Sequence, residues 1–140
     1  MLFPKKVKHR KWQTKREHPT KLIKPKTKGA QVSFGEFGLK ATSHARVKSN
    51  QIEAARRAMV RFLGKNAKTW IRIFPDRPFT KKPSEVKMGK GKGDPQGFEV
   101  EIYPGRILFE VDGVSEEIAR EGLRKAGTKL PLTTKVVARD

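Results

Sequence analysis

Charge changes along this chain as a step, and the step limits which part can fold unaided. Residues 1–97 carry 26 lysines and arginines against 6 acids, whereas residues 98–140 carry 7 against 8. The net charge is +19 and the pI is near 10.6. Cations spread only for solubility have no reason to avoid the last third, while a surface facing a polyanion places them unevenly. A nucleic-acid partner is the reading this favours. Residues 1–30 hold 11 basic residues and a single acid, Glu17. Their large apolar residues (Leu2, Phe3, Trp12, Leu22, Ile23) are scattered among prolines at 4, 19 and 25. Such a segment cannot collapse on itself in water. We expect an extended arm that orders only against a partner, with Lys5, Lys6, Lys8, Arg10, Lys11, Lys15 and Arg16 as candidate phosphate contacts. Trp12 has two readings of equal weight: stacking on a base or a guanidinium plane, or tucking back onto the body.

From Gln31 the pattern becomes that of a folded domain, residues 31–140. Hydrophobic residues are 35% of the chain and the mean hydropathy is −0.70, enough for a modest core over part of the length. Val32, Phe34 and Leu39 among Gly35 and Gly38 suggest a bent strand. Ser49 or Asn50 can cap a helix running to about Lys65, and Asn50 with Glu53 resembles a capping box. Ile52, Ala55, Met59, Phe62 and Leu63 share its apolar face. Arg57, Arg61 and Lys65 form a stripe opposite, with Arg56 on the flank. Like charges at that spacing repel slightly, which phosphates would offset. Thr69–Phe74 reads as a strand and Asp76–Arg77 as a turn between prolines. Phe98–Tyr103 and Arg106–Asp112 flank Pro104–Gly105, a hairpin signal of type II geometry. Ser115 can cap a second helix ended by Pro131, and Leu132–Ala138 reads as a last strand. The expected class is α+β: a mainly antiparallel sheet, two helices and the basic arm.

Several chemistries are excluded or made remote. There is no cysteine, and His9, His18 and His44 lack ligand spacing, so neither disulfide nor metal site is expected. No run of 18 apolar residues is present, and the opening MLFPKKVKHRKW has no apolar stretch behind its cations, as a secretory signal would. Glu99, Glu101 and Glu110 alternate along strands, and a solvated sheet face explains them better than a hydrolytic pair.

The loop at 84–97 contains VKMGKGKGD, Val86–Asp94. Alternation of glycine with lysine suits phosphate: glycine lets backbone approach closely, and successive N–H groups can form an anion nest. A nucleotide P-loop would need Ser or Thr after its lysine and a helix beyond. Here Gly91 and Gly93 follow the lysines, and Asp94–Pro95 leads into a strand. The loop therefore reads as a cationic finger, with Lys87, Lys90 and Lys92 as charges and Met88 as an apolar tip or a folded-back anchor.

VSFGEFGLKA (Val32–Ala41), QIEAARRAM (Gln51–Met59), WIRIFPDRP (Trp70–Pro78), KPSEVKMGKGKG (Lys82–Gly93) and DGVSEEIARE (Asp112–Glu121) together resemble the bacterial large-subunit ribosomal protein sixteen family. The opening MLFPKKVKHRK is similar as well, and a match from Met1 argues against a transit extension. The resemblance implies an α/β-hammerhead-type fold and a structural constituent of the large ribosomal subunit, not an enzyme. It implies binding to large-subunit rRNA near the peptidyl transferase centre, entry late in subunit assembly, and other large-subunit proteins as neighbours. Contact with aminoacyl-site tRNA is implied, with peptidyl-site tRNA as a further expectation. Lys87, Met88, Gly89, Lys90, Gly91, Lys92 and Gly93 become the tRNA-facing loop, and the arm with Trp12, Arg56, Arg57 and Arg61 the rRNA-binding residues. Some relatives carry a hydroxylated arginine just before Met-Gly-Lys-Gly; this chain has Lys87, which keeps the charge without a planar guanidinium. A cytoplasmic, ribosome-bound protein is expected, with no cofactor, membrane or small-molecule substrate. The alternatives are a free RNA- or DNA-binding protein and, remotely, a nucleotide-using enzyme.

Overall fold

Alternating apolar residues in this chain are taken up by two antiparallel sheets that share one core. The computed structural model describes residues 1–140. In chain order the elements are α1 (Pro19–Leu22), β1 (Phe37–Ala41), β2 (Ala45–Lys48), α2 (Ser49–Leu63), β3 (Lys68–Ile71), β4 (Arg77–Lys81), β5 (Asp94–Ile102), β6 (Ile107–Asp112), α3 (Glu116–Gly127) and β7 (Thr134–Ala138). One sheet has the order β3-β6-β1-β7 and the other β2-β5-β4. The α+β class is as expected. The single turn of α1 and the short edge strands β2 and β4 have no counterpart in the sequence reading.

Pro104–Gly105 makes the expected turn but not the expected hairpin. Gly105 has φ +97°, and the Arg106 N–H bonds the Tyr103 carbonyl at 3.3 Å, as a type II turn requires. The strands it joins lie in different sheets. At this corner the end of β1 takes the hydrogen bonds a hairpin would have used: Gly105 N–H donates to Ala41 O at 2.7 Å and Ala41 N–H to Arg106 O at 2.8 Å. The β5–β6 connection is therefore a passage between sheets. Burial hides this from the sequence, because β6 is covered on both faces from Ile107 to Val111 and shows no alternation to read.

Helix α2 buries Ile52, Ala55, Met59 and Leu63. Phe62 departs from the expected apolar face and is 41% exposed. It stands roughly 80° round the helix from Ile52, and the Lys125 ammonium lies 5.0 Å from its ring. The start also differs: Lys48 is the N-cap, and the Gln51 side chain accepts its backbone N–H at 2.8 Å. Glu53 is one turn too far along to cap and turns to arginines instead. Helix α3 packs on α2 and against β1, β6 and β7, while α2 also touches β2 and β5. The helix pair thus spans both sheets over the core.

The largest departure concerns Glu110, expected on a solvated face. It is fully buried in β6, in register with Gly38 on β1 and Trp70 on β3. Its Oε1 accepts three successive backbone N–H groups, Ser33 at 2.9 Å, Phe34 at 2.8 Å and Gly35 at 3.0 Å. Its Oε2 accepts Arg72 Nη1. Burial pushes the carboxyl pKa up; the Gly35 and Phe34 N–H groups and Arg72 together outweigh it and leave the pKa below the ordinary 4.5.

A group depressed in the folded state stabilises the protein above its unfolded pKa and loses that contribution as pH falls through the folded value. Glu110→Gln should therefore destabilise the fold by about 3–5 kcal/mol near neutral pH. The gap to the parent should shrink as pH drops below about 4.5. Urea unfolding of both proteins across that range measures it, and a gap independent of pH would contradict the ion-pair account.

Candidate nucleic-acid interface

Sheet β2-β5-β4 carries a cross-strand ladder of opposite charges. Arg46 on β2 stands opposite Glu101, and Arg77 on β4 opposite Glu99. The Nε–carboxylate distances are 3.8 Å for Arg46 and 4.0 Å for Arg77, and His44 Nε2 lies 3.0 Å from Glu101. Glu99 is buried and Glu101 half-buried. The solvated-face reading is wrong for these two acids as well, because a stretch of chain lies across them. With its inner nitrogen held by glutamate, each guanidinium turns its far end to the N-terminal arm. Arg77 Nη2 donates to Gln13 O at 2.6 Å and Thr14 O at 2.7 Å. Arg46 Nη2 donates to Thr14 O, with Lys15 O at 3.5 Å.

Trp12 satisfies both of its readings in part. It folds back so that the Arg77 guanidinium lies 5.4 Å from its ring centre, yet it stays 40% exposed. Lys5, Lys6, Lys8, Arg10, Lys15 and Arg16 are exposed. No ion pair or hydrogen bond engages the charged end of any of these side chains.

The glycine–lysine loop, residues 82–93, is the tip of the β4–β5 hairpin, closed where Lys81 pairs Asp94. Gly89, Lys90 and Gly91 have φ of +100°, +60° and +105°. Three consecutive left-handed residues are tolerable here because two are glycine. Lys82 Nζ bonds Gly89 O and folds the tip. Met88 is 90% exposed, so it is a tip and not an anchor. The three expected loop cations divide. Lys92 Nζ bonds the Trp12 carbonyl, and Lys11 Nζ lies 3.5 Å from Lys92 O. Lys87 and Lys90 are exposed without partners. The structure thus brings Lys11, Trp12 and Lys92 together.

The arginines of α2 also divide. Arg56 grips Glu53 with two bonds, at 3.0 and 2.6 Å, and Arg57 Nε bonds the same carboxylate at 3.1 Å. The Arg56 bond is the main cause of a Glu53 pKa lowered to about 2. Arg61 has no such partner and is exposed. Lys65 lies beyond the helix end.

Arg46 and Arg77 were missed by the sequence reading. Glu99 and Glu101, two apart on one strand, were the available signal, since partly covered acids at that spacing call for cations on the strands beside them. With this geometry in place, the comparison with known families is direct: a family model described as ribosomal protein L16p/L10e matches residues 4–137.

Arg77 holds the arm at two carbonyls and at the Trp12 ring, so Arg77→Ala should release residues 11–16. Trypsin should then cut the free protein at Lys11, Lys15 or Arg16 at least about tenfold faster, while the folded domain persists. Unchanged cleavage rates would show that the arm is held by something else.

Proposed function

The chain belongs to the L16p/L10e family of ribosomal proteins, and from that premise we propose how its cations divide the work. Membership makes it a structural, non-enzymatic constituent of the large ribosomal subunit that binds rRNA among other ribosomal components. In the finer reading, Lys5, Lys6, Lys8, Arg10, Lys11, Lys15 and Arg16 contact rRNA phosphates along the arm, with Trp12 beside them. Arg61 does so from α2, and Arg56 and Arg57 contribute with their charge partly answered by Glu53. The loop Lys87–Gly93 faces tRNA near the peptidyl transferase centre, at the aminoacyl site and toward the peptidyl site. The protein enters late in assembly and works on cytoplasmic ribosomes.

One observation carries this division: Lys87, Met88 and Lys90 are exposed at the end of a hairpin, with no side-chain partner in their own chain. A solvated loop has no need for three left-handed residues in a row, whereas a backbone that must approach a polyanion closely does. Bond making in peptidyl transfer belongs to RNA, so the loop positions and does not react. Lys87 presents a point charge where some relatives present a guanidinium, and orients a phosphate less strictly.

Affinity for large-subunit rRNA should fall steeply with salt, each phosphate contact adding roughly 0.7–0.9 to the log–log slope. A slope near zero would remove the rRNA reading. Replacing Lys87 and Lys90 together by alanine, with Lys92 kept because it holds the arm at Trp12, should leave incorporation into subunits near the parent level, by sedimentation in high salt, while peptide synthesis drops. Lost incorporation with normal synthesis in the subunits that do form would make the loop an rRNA anchor.

A further inference from the structure

The backbone on both sides of Phe34 is fixed by hydrogen bonds, although the side chain itself is exposed. The Glu110 carboxylate grips the backbone N–H groups of residues 33–35, and Glu36 N–H bonds Val111 O at 3.1 Å. Gly35 lets the chain lie this close, for a Cβ there would stand 2.6 Å from Val111 O. These contacts would hold any residue at 34. The residue present is phenylalanine, 55% exposed and absent from the hydrophobic core. Its ring stacks on Trp70, with centroids 6.2 Å apart and planes 22° apart, and the Arg72 guanidinium lies 5.0 Å from its centre. Trp70 and Arg72 are two residues apart along the edge strand and share a face, so the ring lies across both and turns its other side outward.

We propose that the outward face of Phe34, backed by Trp70 and Arg72, is a stacking platform for one unpaired base of large-subunit rRNA. The proposal rests on the rRNA-binding reading above and adds a site to it. Every base has a π face, so such platforms serve whatever base the RNA fold extrudes. A ring already stacked on Trp70, on a backbone fixed by the Glu110 carboxylate, loses little further freedom on binding.

Charge favours RNA over a neighbouring protein as the occupant. Arg106, its Nε without a partner, reaches the Arg72 carbonyl at 3.4 Å. Arg56, its guanidinium also bonded to Glu53, lines a neighbouring cleft that shares Trp70 and Arg72 with the platform. The acid under the platform, Glu110, is buried and engaged by Arg72. What faces outward is a flat ring with the Arg72 guanidinium beside it; Glu36, two residues on, is an exposed acid, and Phe74, 45% exposed, lines the neighbouring cleft with Trp70 and Arg72. An aliphatic anchor from a protein would need a pocket, whereas a base needs a flat surface with phosphate-compatible charge nearby.

The test uses the full chain and protein-free large-subunit rRNA. Phe34→Ala and Phe34→Leu should each weaken binding about tenfold. The salt slope should stay that of the parent, since no phosphate contact is removed. Phe34→Tyr should bind within about twofold of the parent. Amide exchange at Ser33–Gly35 should match the parent in all three variants, because the latch uses only backbone. Chemical probing should find one unpaired base protected by the parent and Phe34→Tyr, and exposed with Phe34→Ala. Parent-like affinity of Phe34→Leu would overturn the platform, as would a changed salt slope. So would variants that bind rRNA normally but yield subunits lacking a neighbouring protein, which would make Phe34 a protein contact. Loss of salt-dependent binding in the parent itself would overturn the rRNA reading and not this site alone.

Discussion

Glu110 is the constraint on which much of the fold turns. A carboxylate in the middle of a central strand, with both faces covered, must be answered on every lone pair or the strand cannot stay buried. It is answered by three backbone N–H groups and one arginine. Those partners fix the path of residues 31–36, because Arg72 also bonds Gln31 O at 3.2 Å. Gly29 O accepts the Ile107 N–H at 2.7 Å just before this stretch. The segment leading into β1 is thus set by what a buried charge needs and not by apolar pattern. A buried pair is weak evidence of net stability. Its consequence here is register: a shift of one residue in the 33–35 turn would strand the carboxylate.

The charge step along the chain acquires an internal meaning from this. The last third is near neutral, yet three of its acids face arginines of the basic part: Glu110 with Arg72, Glu101 with Arg46 and Glu99 with Arg77. The strands of the neutral part supply counter-ions to the strands beside them. In α3 the pairs Glu116–Arg120 and Glu121–Arg124 close within the helix, and exposed pairs of this kind contribute little to stability. The acids in the sheets therefore carry the structural role, and those on α3 leave its surface without a net field.

Helices α2 and α3 and the glycine–lysine loop were legible in the sequence, because periodicity and Gly/Pro punctuation are local signals. Ile52, Ala55, Met59 and Leu63 could be placed by angle alone, and the missing Ser or Thr after Lys90 and Lys92, with no helix beyond, made a nucleotide cradle remote. The sheet partition was not legible. Pro104–Gly105 is a turn whichever strands it joins, and only the long-range bonds to Ala41 decide that the strands part. The three glutamates were misread for a related reason. Alternation says which residues share a face, but whether water or another segment covers that face depends on chain 60 to 90 residues away in sequence, such as Thr14 over Arg77 or Ser33 over Glu110. Phe34 was read as one strand residue among others, since its exposure follows from the latch.

Sorting the cations by what they touch separates framework from interface. Arg72 has a buried carboxylate close by, and its field largely ends within the protein. Lys5, Lys6, Lys8, Arg10, Lys15, Arg16, Arg61, Lys87 and Lys90 touch no acid and project into solvent. Between these lie Arg46, Arg77 and Lys92, whose outer donors meet neutral carbonyls at residues 12–15. A carbonyl satisfies a hydrogen bond without cancelling a charge, so the ladder that fastens the arm keeps part of its positive field on the outer surface. Because Lys92 belongs to the hairpin loop and Trp12 to the arm, the same contact ties the base of the loop to the segment that would lie on rRNA. Whatever fixes the arm also fixes one side of the loop, leaving Lys87 and Lys90 at its end as charges without a partner in the chain.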